Sequence, residues 1–297
     1  MKKVLLSLLF GFLLAGCGAE KPVNIKPLET SSSESSHTEA VQSKVSLINE
    51  KGDTIEQRFK TPEGFQRVTV AKESFQEFLR TQKLKPHGSK VLYYNGDIKD
   101  RDNVYEAVLS VDIGKRDLHQ CADAVMLLRA EYLYKNEEYN KIHFNFTNGF
   151  RAEYNKWSKG YRIQVSGNKV LWVKSKGEDK SYLQFRKYME MVFSYAGTLS
   201  LEKELKEVDI NEMQIGDVFI KGGSPGHAVI VVDMAENKKT NKKLFMLAQS
   251  YMPAQETQVL CNPSDDELSP WYSLDFEEQL NTPEWTFSKK LLKRFIE

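Results

Sequence analysis

The stretch GDVFIKGGSPGHAVIVVD, residues 216–233, places a single histidine between a glycine-rich turn and a run of apolar residues. Valine, isoleucine and phenylalanine favour strands, whereas clustered glycine and proline end them. We therefore predict a strand over residues 216–220, a turn over residues 222–226 and a second strand over residues 228–232. His227 lies at the start of the second strand, where a titratable ring requires a polar partner.

A third strand is predicted over residues 243–251, after a solvated loop that contains a cluster of lysines. Side chains alternate between the two faces of a strand. His227 and Gln249 can therefore project from the same face of two adjacent antiparallel strands. The amide oxygen of Gln249 is a candidate group for orienting the His227 ring.

Residues 117–136, further upstream, carry the pattern of an amphipathic helix. Asp117 and Gln120 have the spacing of a capping box, which predicts that the helix begins there. One face is apolar at helical spacing and comprises Leu118, Cys121, Val125, Leu128 and Tyr132. In the first turn of a helix, unpaired backbone amides and the helix dipole favour an anion. We therefore expect Cys121 to form a thiolate readily.

Catalysis by a cysteine needs a base, a group that orients the base, and donors for an oxyanion. Cys121 is the candidate nucleophile, His227 the base and Gln249 the orienting residue. The backbone amide of Cys121 is one candidate oxyanion donor, and Gln120 or His119 is a second. Another interpretation stays open here, in which Cys121 is an inert core residue and His227 a structural histidine bonded to turn carbonyls.

Other segments have recognisable patterns of strand or helix. The predicted strands are short segments within residues 48–70, then residues 91–94, 105–113, 143–150, 161–165 and 170–173, the last two forming a hairpin. The predicted helices are residues 74–80 and 182–195. The mixture of helices and antiparallel hairpins indicates an α+β fold.

The N-terminal residues 1–17 have the pattern of a secretory signal, with Lys2 and Lys3 before an apolar run. Cys17 directly follows Ala-Gly, which resembles a bacterial lipobox, in which the cysteine is acylated and becomes the mature N-terminus. This resemblance implies an exported lipoprotein of the bacterial cell envelope, whose membrane partner is reached through the lipid anchor.

The remaining chain divides into two parts by composition. Residues 18–45 are polar and lack periodicity, which predicts a flexible tether. Residues 46–297 have the length and apolar content of a single α+β domain.

The charge and the spacing of the histidines argue against two kinds of function, binding to nucleic acid and binding of a metal ion. The net charge is +1, with acidic and basic residues mixed, so nothing indicates binding to nucleic acid. The histidines of the predicted domain lack the spacing of a zinc site, so neither a metal nor another cofactor is expected; they are His87, His119, His143 and His227. Beyond Cys17, the sequence leaves open whether Cys121 and Cys261 form a disulfide or remain thiols.

The order of these motifs is similar to that of the papain-like cell-wall hydrolases of the NlpC and CHAP type. The pieces are Cys121, Gly-Asp and three apolar residues at 216–220, His227 with its apolar strand, and Gln249. The resemblance implies a papain-like core, with a cysteine-bearing helix packed on an antiparallel sheet. It also implies a large insertion over about residues 134–194, which separates Cys121 from His227.

A second resemblance covers most of the chain from about residue 58 onward. Residues 116–123, 143–149 and 222–232 resemble a bacterial lipoprotein family of unknown function, domain of unknown function 4846. That family implies no activity. The first resemblance implies a lipid-anchored cysteine hydrolase, an amidase or endopeptidase acting on peptidoglycan stem peptide or a related amide.

A non-catalytic function is the alternative. In that interpretation the domain binds glycan or a protein partner through a groove near Trp157, Tyr161 and Trp172. Exposed aromatic rings that stack on sugars would be its signature.

Overall fold

The computed structural model describes residues 46–296, which form six α-helices and fifteen β-strands around a continuous apolar core. The helices are α1 Ile55–Arg58, α2 Phe75–Arg80, α3 Cys121–Lys135, α4 Tyr154–Ser158, α5 Tyr182–Tyr195 and α6 Thr198–Glu204. The strands are β1 Gln66–Arg67, β2 Tyr105–Val108, β3 His143–Asn145, β4 Arg151–Glu153, β5 Tyr161–Ser166, β6 Lys169–Lys174, β7 Leu205–Glu207, β8 Val218–Lys221, β9 His227–Asn237, β10 Lys242–Gln249, β11 Gln258–Leu260, β12 Tyr272–Ser273, β13 Gln279–Asn281, β14 Thr286–Ser288 and β15 Leu292–Phe295.

A nine-stranded antiparallel sheet is the centre of the fold. Its order is β2-β11-β10-β9-β8-β15-β7, with β1 also paired to β9 and β12 to β10. The three strands predicted from residues 216–251 are confirmed as β8, β9 and β10, which are adjacent and antiparallel. Residues 227–235 are all buried, which explains why this segment is apolar without interruption.

The pairing of β9 with β10 sets where the ends of these strands lie. Ala248 pairs with Ile230, so that Gln249 and His227 both lie at the same end of the two strands. The register of the β9–β10 pairing shifts between Met246 and Leu247, where the ladder is irregular. The predicted lysine-containing loop joins the other end of the pair, where it is exposed.

Helix α3 is the most deeply buried helix that the structure describes. Ten consecutive residues from Cys121 onward are buried, and the helix contacts β9 of the large sheet. A helix that is covered on all sides lies inside a domain rather than on its surface. The observed fold is therefore mixed α and β with an antiparallel sheet, as predicted at that level.

The start of α3 differs from the prediction. Its N-cap is Gln120, whose backbone amide donates to Asp123 Oδ2 at 3.0 Å, so Asp117 is not the cap. The Asp117 carboxylate instead accepts from the distant Ala254 amide at 2.7 Å, a contact that local spacing cannot reveal. The helix ends at Lys135, within the predicted range.

The segment between α3 and α6 adds two hairpins and two helices outside the large sheet. The predicted hairpin is confirmed as β5 and β6, and the predicted helix as α5. Phe185 of α5 stacks on Tyr134 at 4.4 Å between ring centroids, which joins this insertion to the end of α3. Two predicted strands are shorter than expected, because only Tyr105–Val108 and His143–Asn145 pair as strands.

None of the helices within residues 46–296 is long and apolar enough to cross a bilayer. The predicted signal segment 1–17, with Cys17, and the predicted tether 18–45 lie outside the described residues.

Candidate active site

A cleft of about 330 Å³ lies at the N-terminus of α3, where the strand ends of β9 and β10 meet it. Cys121, Gln120 and His227 all line this cleft. The rest of the wall comes from the α5–α6 connection, from the turn before β9, and from Tyr251 and Trp285. His227 is thus brought to one concave surface with Gln120 and Cys121, which lie more than 100 residues earlier in the sequence, as a binding or catalytic site requires.

The His227 ring is held in one orientation by its surroundings. Only 1% of the residue is exposed, and Nε2 lies 2.8 Å from Gln249 Oε1. The rings of Tyr251 and Trp285 lie 4.9 and 5.4 Å from it, measured between centroids. Within residues 46–296, no group forms a hydrogen bond with Nδ1 of this ring, which leaves that nitrogen available to the cleft.

Burial lowers the pKa of His227 to about 4, although the hydrogen bond to Gln249 acts in the opposite direction. A charged imidazole is not hydrated when it is buried, and this desolvation cost exceeds the stabilisation that one neutral amide gives to the charged ring. His227 is therefore neutral at pH 7. A neutral ring can accept a proton, which a general base must do.

Cys121 is the first residue of α3 and is 7% exposed. Burial raises the pKa of its thiol to about 11, whereas the backbone amides of Ala228, Ala122 and Cys121 itself favour the thiolate. The helix N-terminus thus acts as predicted, but burial outweighs it, and the expectation of a readily formed thiolate is wrong for the resting state.

The Cys121 thiol and the His227 imidazole do not form a hydrogen-bonded pair. Among the described residues, no hydrogen bond joins Cys121 Sγ to the His227 ring. The Ala228 amide that favours the Cys121 thiolate belongs to the residue next to His227 in β9. The resting site therefore holds a neutral thiol and a neutral imidazole along one cleft, not a preformed ion pair.

Two residues that the sequence interpretation missed complete the polar network. Gln249 Nε2 donates to Glu284 Oε2 at 2.7 Å, and Lys99 Nζ lies 2.9 Å from the same carboxylate. Burial lowers the pKa of Lys99, whereas its bond to Glu284 raises it. Glu284 precedes β14 and Lys99 precedes β2 by several residues, so no local pattern in the sequence connects either of them with His227.

The two candidate oxyanion side chains are placed differently. Gln120 lines the cleft, with its Nε2 donating to Asp117 Oδ1 at 3.2 Å. His119 is fully buried, and its Nε2 lies 2.9 Å from Thr257 Oγ1, away from the cleft wall. Burial lowers the pKa of His119 to about 3. The geometry therefore favours Gln120 over His119 as a donor.

The aromatic residues of the predicted groove lie elsewhere. Trp157 is 5% exposed and is covered by the Arg162 guanidinium, 4.3 Å from its ring centroid. Trp172 packs on Phe150 at 5.7 Å between ring centroids, and Tyr161 lies under a lysine of the paired strand β6. None of the three groove residues lines the cleft. A buried ring cannot stack on a sugar, so Trp157 does not suit that function.

Cys121 and Cys261 are both free thiols. Cys261 donates to the Asn103 carbonyl at 3.1 Å, and burial raises the pKa of its thiol to about 11. Within residues 46–296, no group of three histidine, cysteine or acidic side chains is arranged to hold a metal ion.

Comparison with known proteins yields one match. No curated protein and no solved structure is similar to this chain at a significant level. The sequence profile of one family matches residues 55–294, which is most of the chain and includes the whole cleft. The chain belongs to the family described as domain of unknown function 4846.

Proposed function

We propose that this protein is a cysteine hydrolase of amide bonds, with Cys121 as nucleophile and His227 as general base. The observation that carries this proposal is the shared cleft, in which the thiol and a neutral imidazole lie at the meeting point of α3 and β9. The bond between His227 and Gln249 supports it, because a base needs a fixed orientation. The papain-like arrangement suggested by the motif order belongs to the same proposal.

In the proposed reaction, the Cys121 sulfur attacks the carbonyl carbon of the scissile amide while the thiol proton passes to His227 Nδ1, and a tetrahedral oxyanion forms. The Cys121 backbone amide and the Gln120 side chain are the candidate donors to this oxyanion. The imidazolium returns its proton to the departing amine, which leaves a thioester on Cys121. Water, deprotonated by His227, hydrolyses the thioester and regenerates the thiol.

The two pKa values, about 11 for the Cys121 thiol and about 4 for the His227 ring, oppose proton transfer ahead of attack and require the two events to be coupled. His227 is already neutral at pH 7 and can take a proton, while the thiol of Cys121 loses its proton only as it attacks. Coupling the two events avoids a buried thiolate in the resting protein, whose desolvation is costly. Substrate that fills the cleft would bring the carbonyl and the donors to the sulfur together.

The substrate class that we propose is a peptide amide of the bacterial cell envelope, such as a peptidoglycan stem peptide. The motif order supports this class, and so does the signal-like segment ending at Cys17, which would hold the domain at the envelope through acyl chains. Loss of membrane sedimentation in Cys17→Ser, with no change in Cys121→Ala, would be the expected localisation result. Equal sedimentation of Cys17→Ser and the unchanged protein would contradict the anchor.

Purified peptidoglycan sacculi provide the activity test. We expect the unchanged protein to release peptide fragments, detected by mass spectrometry, and both Cys121→Ala and His227→Ala to release none above buffer. Cys261→Ala is the matched control, since it removes a thiol with a similarly raised pKa outside the cleft. Full release by Cys121→Ala would overturn the proposal.

A further inference from the structure

A buried ion pair between Lys99 and Glu284 is hydrogen-bonded to Gln249, the residue that binds the proposed base His227. Lys99 and Glu284 have side chains that are 3% and 9% exposed, and Lys99 Nζ lies 3.0 and 2.9 Å from the two carboxylate oxygens. Lys99 also donates to Gln255 Oε1 at 2.8 Å. A buried charge pair with several hydrogen bonds is costly to bury and strongly destabilising to break. Its place next to Gln249 therefore calls for an explanation.

The hydrogen-bond chemistry of this network permits one orientation of each group. Both oxygens of the Glu284 carboxylate accept from Lys99 Nζ, and a carboxylate paired in this way acts as an acceptor. Gln249 must therefore turn its NH₂ group to Glu284, as the 2.7 Å contact requires, and its oxygen to His227. An amide oxygen also only accepts, so His227 Nε2 carries the ring proton and Nδ1 is the unprotonated nitrogen.

We propose that Lys99 and Glu284 are positioning residues that fix the tautomer of His227 through Gln249. Without the carboxylate, the Gln249 amide can rotate and donate to Nε2, which moves the proton to Nδ1. A ring protonated at Nδ1 presents a donor to the cleft and cannot accept the thiol proton. The catalytic meaning of this inference depends on the proposed hydrolase, but the tautomer itself does not.

Nitrogen NMR of ¹⁵N-histidine protein at pH 7 tests the inference directly, because the protonated and unprotonated ring nitrogens have separate resonances. The His227 signals are identified by their loss in His227→Gln. We expect the unchanged protein to show a single His227 tautomer with the proton on Nε2. Observation of the proton on Nδ1 would overturn the inference without any variant.

The double variant Lys99→Met with Glu284→Gln tests whether the ion pair is what fixes the tautomer of His227. It removes both charges together, so that no unpaired buried charge remains, and the new glutamine can either donate to or accept from Gln249. We expect loss of the single tautomer and the appearance of Nδ1–H signal. The matched control is Lys83→Met with Asp53→Asn, which removes an exposed ion pair of 2.7 Å and should leave the His227 signals unchanged.

The outcomes separate this inference from the proposed function. Circular dichroism shows whether the double variant is folded. If it is not folded, the tautomer of His227 in the unchanged protein remains the test, and a proton on Nδ1 overturns the inference. A folded double variant with unchanged His227 signals would overturn the positioning role. Failure to cleave sacculi with a confirmed Nε2–H tautomer would count against the hydrolase and leave the ion-pair inference standing.

Discussion

Cys121 shows how two local effects compete at a single residue. The amides at the start of α3 favour a thiolate, yet burial raises the thiol pKa to about 11. Sequence reasoning identified the favourable effect because capping and helix position are local. Burial depends on residues far away in sequence, such as those of β9, whose Ala228 amide contacts the thiol, and it decides the protonation state.

Alkylation of Cys121 by iodoacetamide should therefore be slow at pH 7. Only the thiolate reacts, so the rate should rise with pH toward about 11, with no plateau between pH 5 and pH 8. Mass mapping of the alkylated peptide at each pH gives the rate, and Cys261, with a similarly raised pKa, is the internal reference. A fast reaction with Cys121 at pH 6 would show a preformed thiolate–imidazolium pair and contradict the resting state described above.

His227 and Gln249 illustrate what alternation along strands can predict. Their proximity, 2.8 Å between Nε2 and Oε1, agrees with the expected placement on adjacent antiparallel strands. Glu284 and Lys99 could not be predicted in the same way, because they lie in segments without a regular pattern and reach the site only through the complete fold.

The turn before β9 is the element that places His227. A Cβ atom on Gly226 would lie 2.5 Å from the Gly223 carbonyl oxygen and 2.5 Å from Thr198 Oγ1, so only glycine fits there. The Gly-Ser-Pro-Gly pattern correctly indicated a turn. Its packing against α6 could not be deduced from the pattern, since that contact comes from Thr198.

Gly226→Ala should lower the free energy of unfolding by about 1–3 kcal/mol, because backbone atoms must move to accommodate the methyl group. The displaced turn should also slow any reaction of Cys121 that depends on His227. Urea unfolding at pH 7 measures the stability. Gly177→Ala is the control, since a Cβ atom there meets nothing within 4 Å. Equal stability of the two variants would show that the turn can adjust without cost.

At the scale of the whole molecule, sequence patterns predicted the middle of the large sheet, the position of α3, and the hairpin β5–β6 and helix α5 of the insertion. The expected amphipathic character of α3 was wrong, because ten consecutive residues of the helix are buried. The periodicity of residues 216–251 predicted β8, β9 and β10, which form the middle of the sheet. The short edge strands were missed or predicted at the wrong length, because pairing with distant segments, rather than composition, defines them. The segment Ile55–Arg58 was predicted as extended and is helical, with Thr54 as its cap.

The contribution of the buried histidines to stability should fall as the pH drops below the ordinary histidine pKa of 6.5, because His119 and His227 are buried as neutral rings with pKa values of about 3 and about 4. Burial raises the pKa of Asp123, which contributes with the opposite sign, so the histidine effect is read from the difference between variants. The unfolded chain takes up protons at both rings, whereas the folded chain does not until much lower pH. At pH 5 each ring should therefore cost about 2 kcal/mol of stability relative to pH 7.5.

Urea unfolding at pH 7.5 and pH 5 tests this linkage. His119→Gln removes one of the two rings and should lose about half of the histidine contribution. The control is His87→Gln, at a half-exposed position beside Glu50. A pH dependence that is identical in His119→Gln and the unchanged protein would refute the contribution of this ring.

The central claim is that Cys121 and His227 act together on a carbonyl group in one cleft. Acylation by p-nitrophenyl acetate at pH 7 measures this directly, because the acylated cysteine appears as a burst of nitrophenolate. We predict one equivalent of burst that is absent in Cys121→Ala and at least about 100-fold slower in His227→Ala, as loss of a general base requires. A burst of unchanged rate in His227→Ala, or one that survives in Cys121→Ala, would contradict the account.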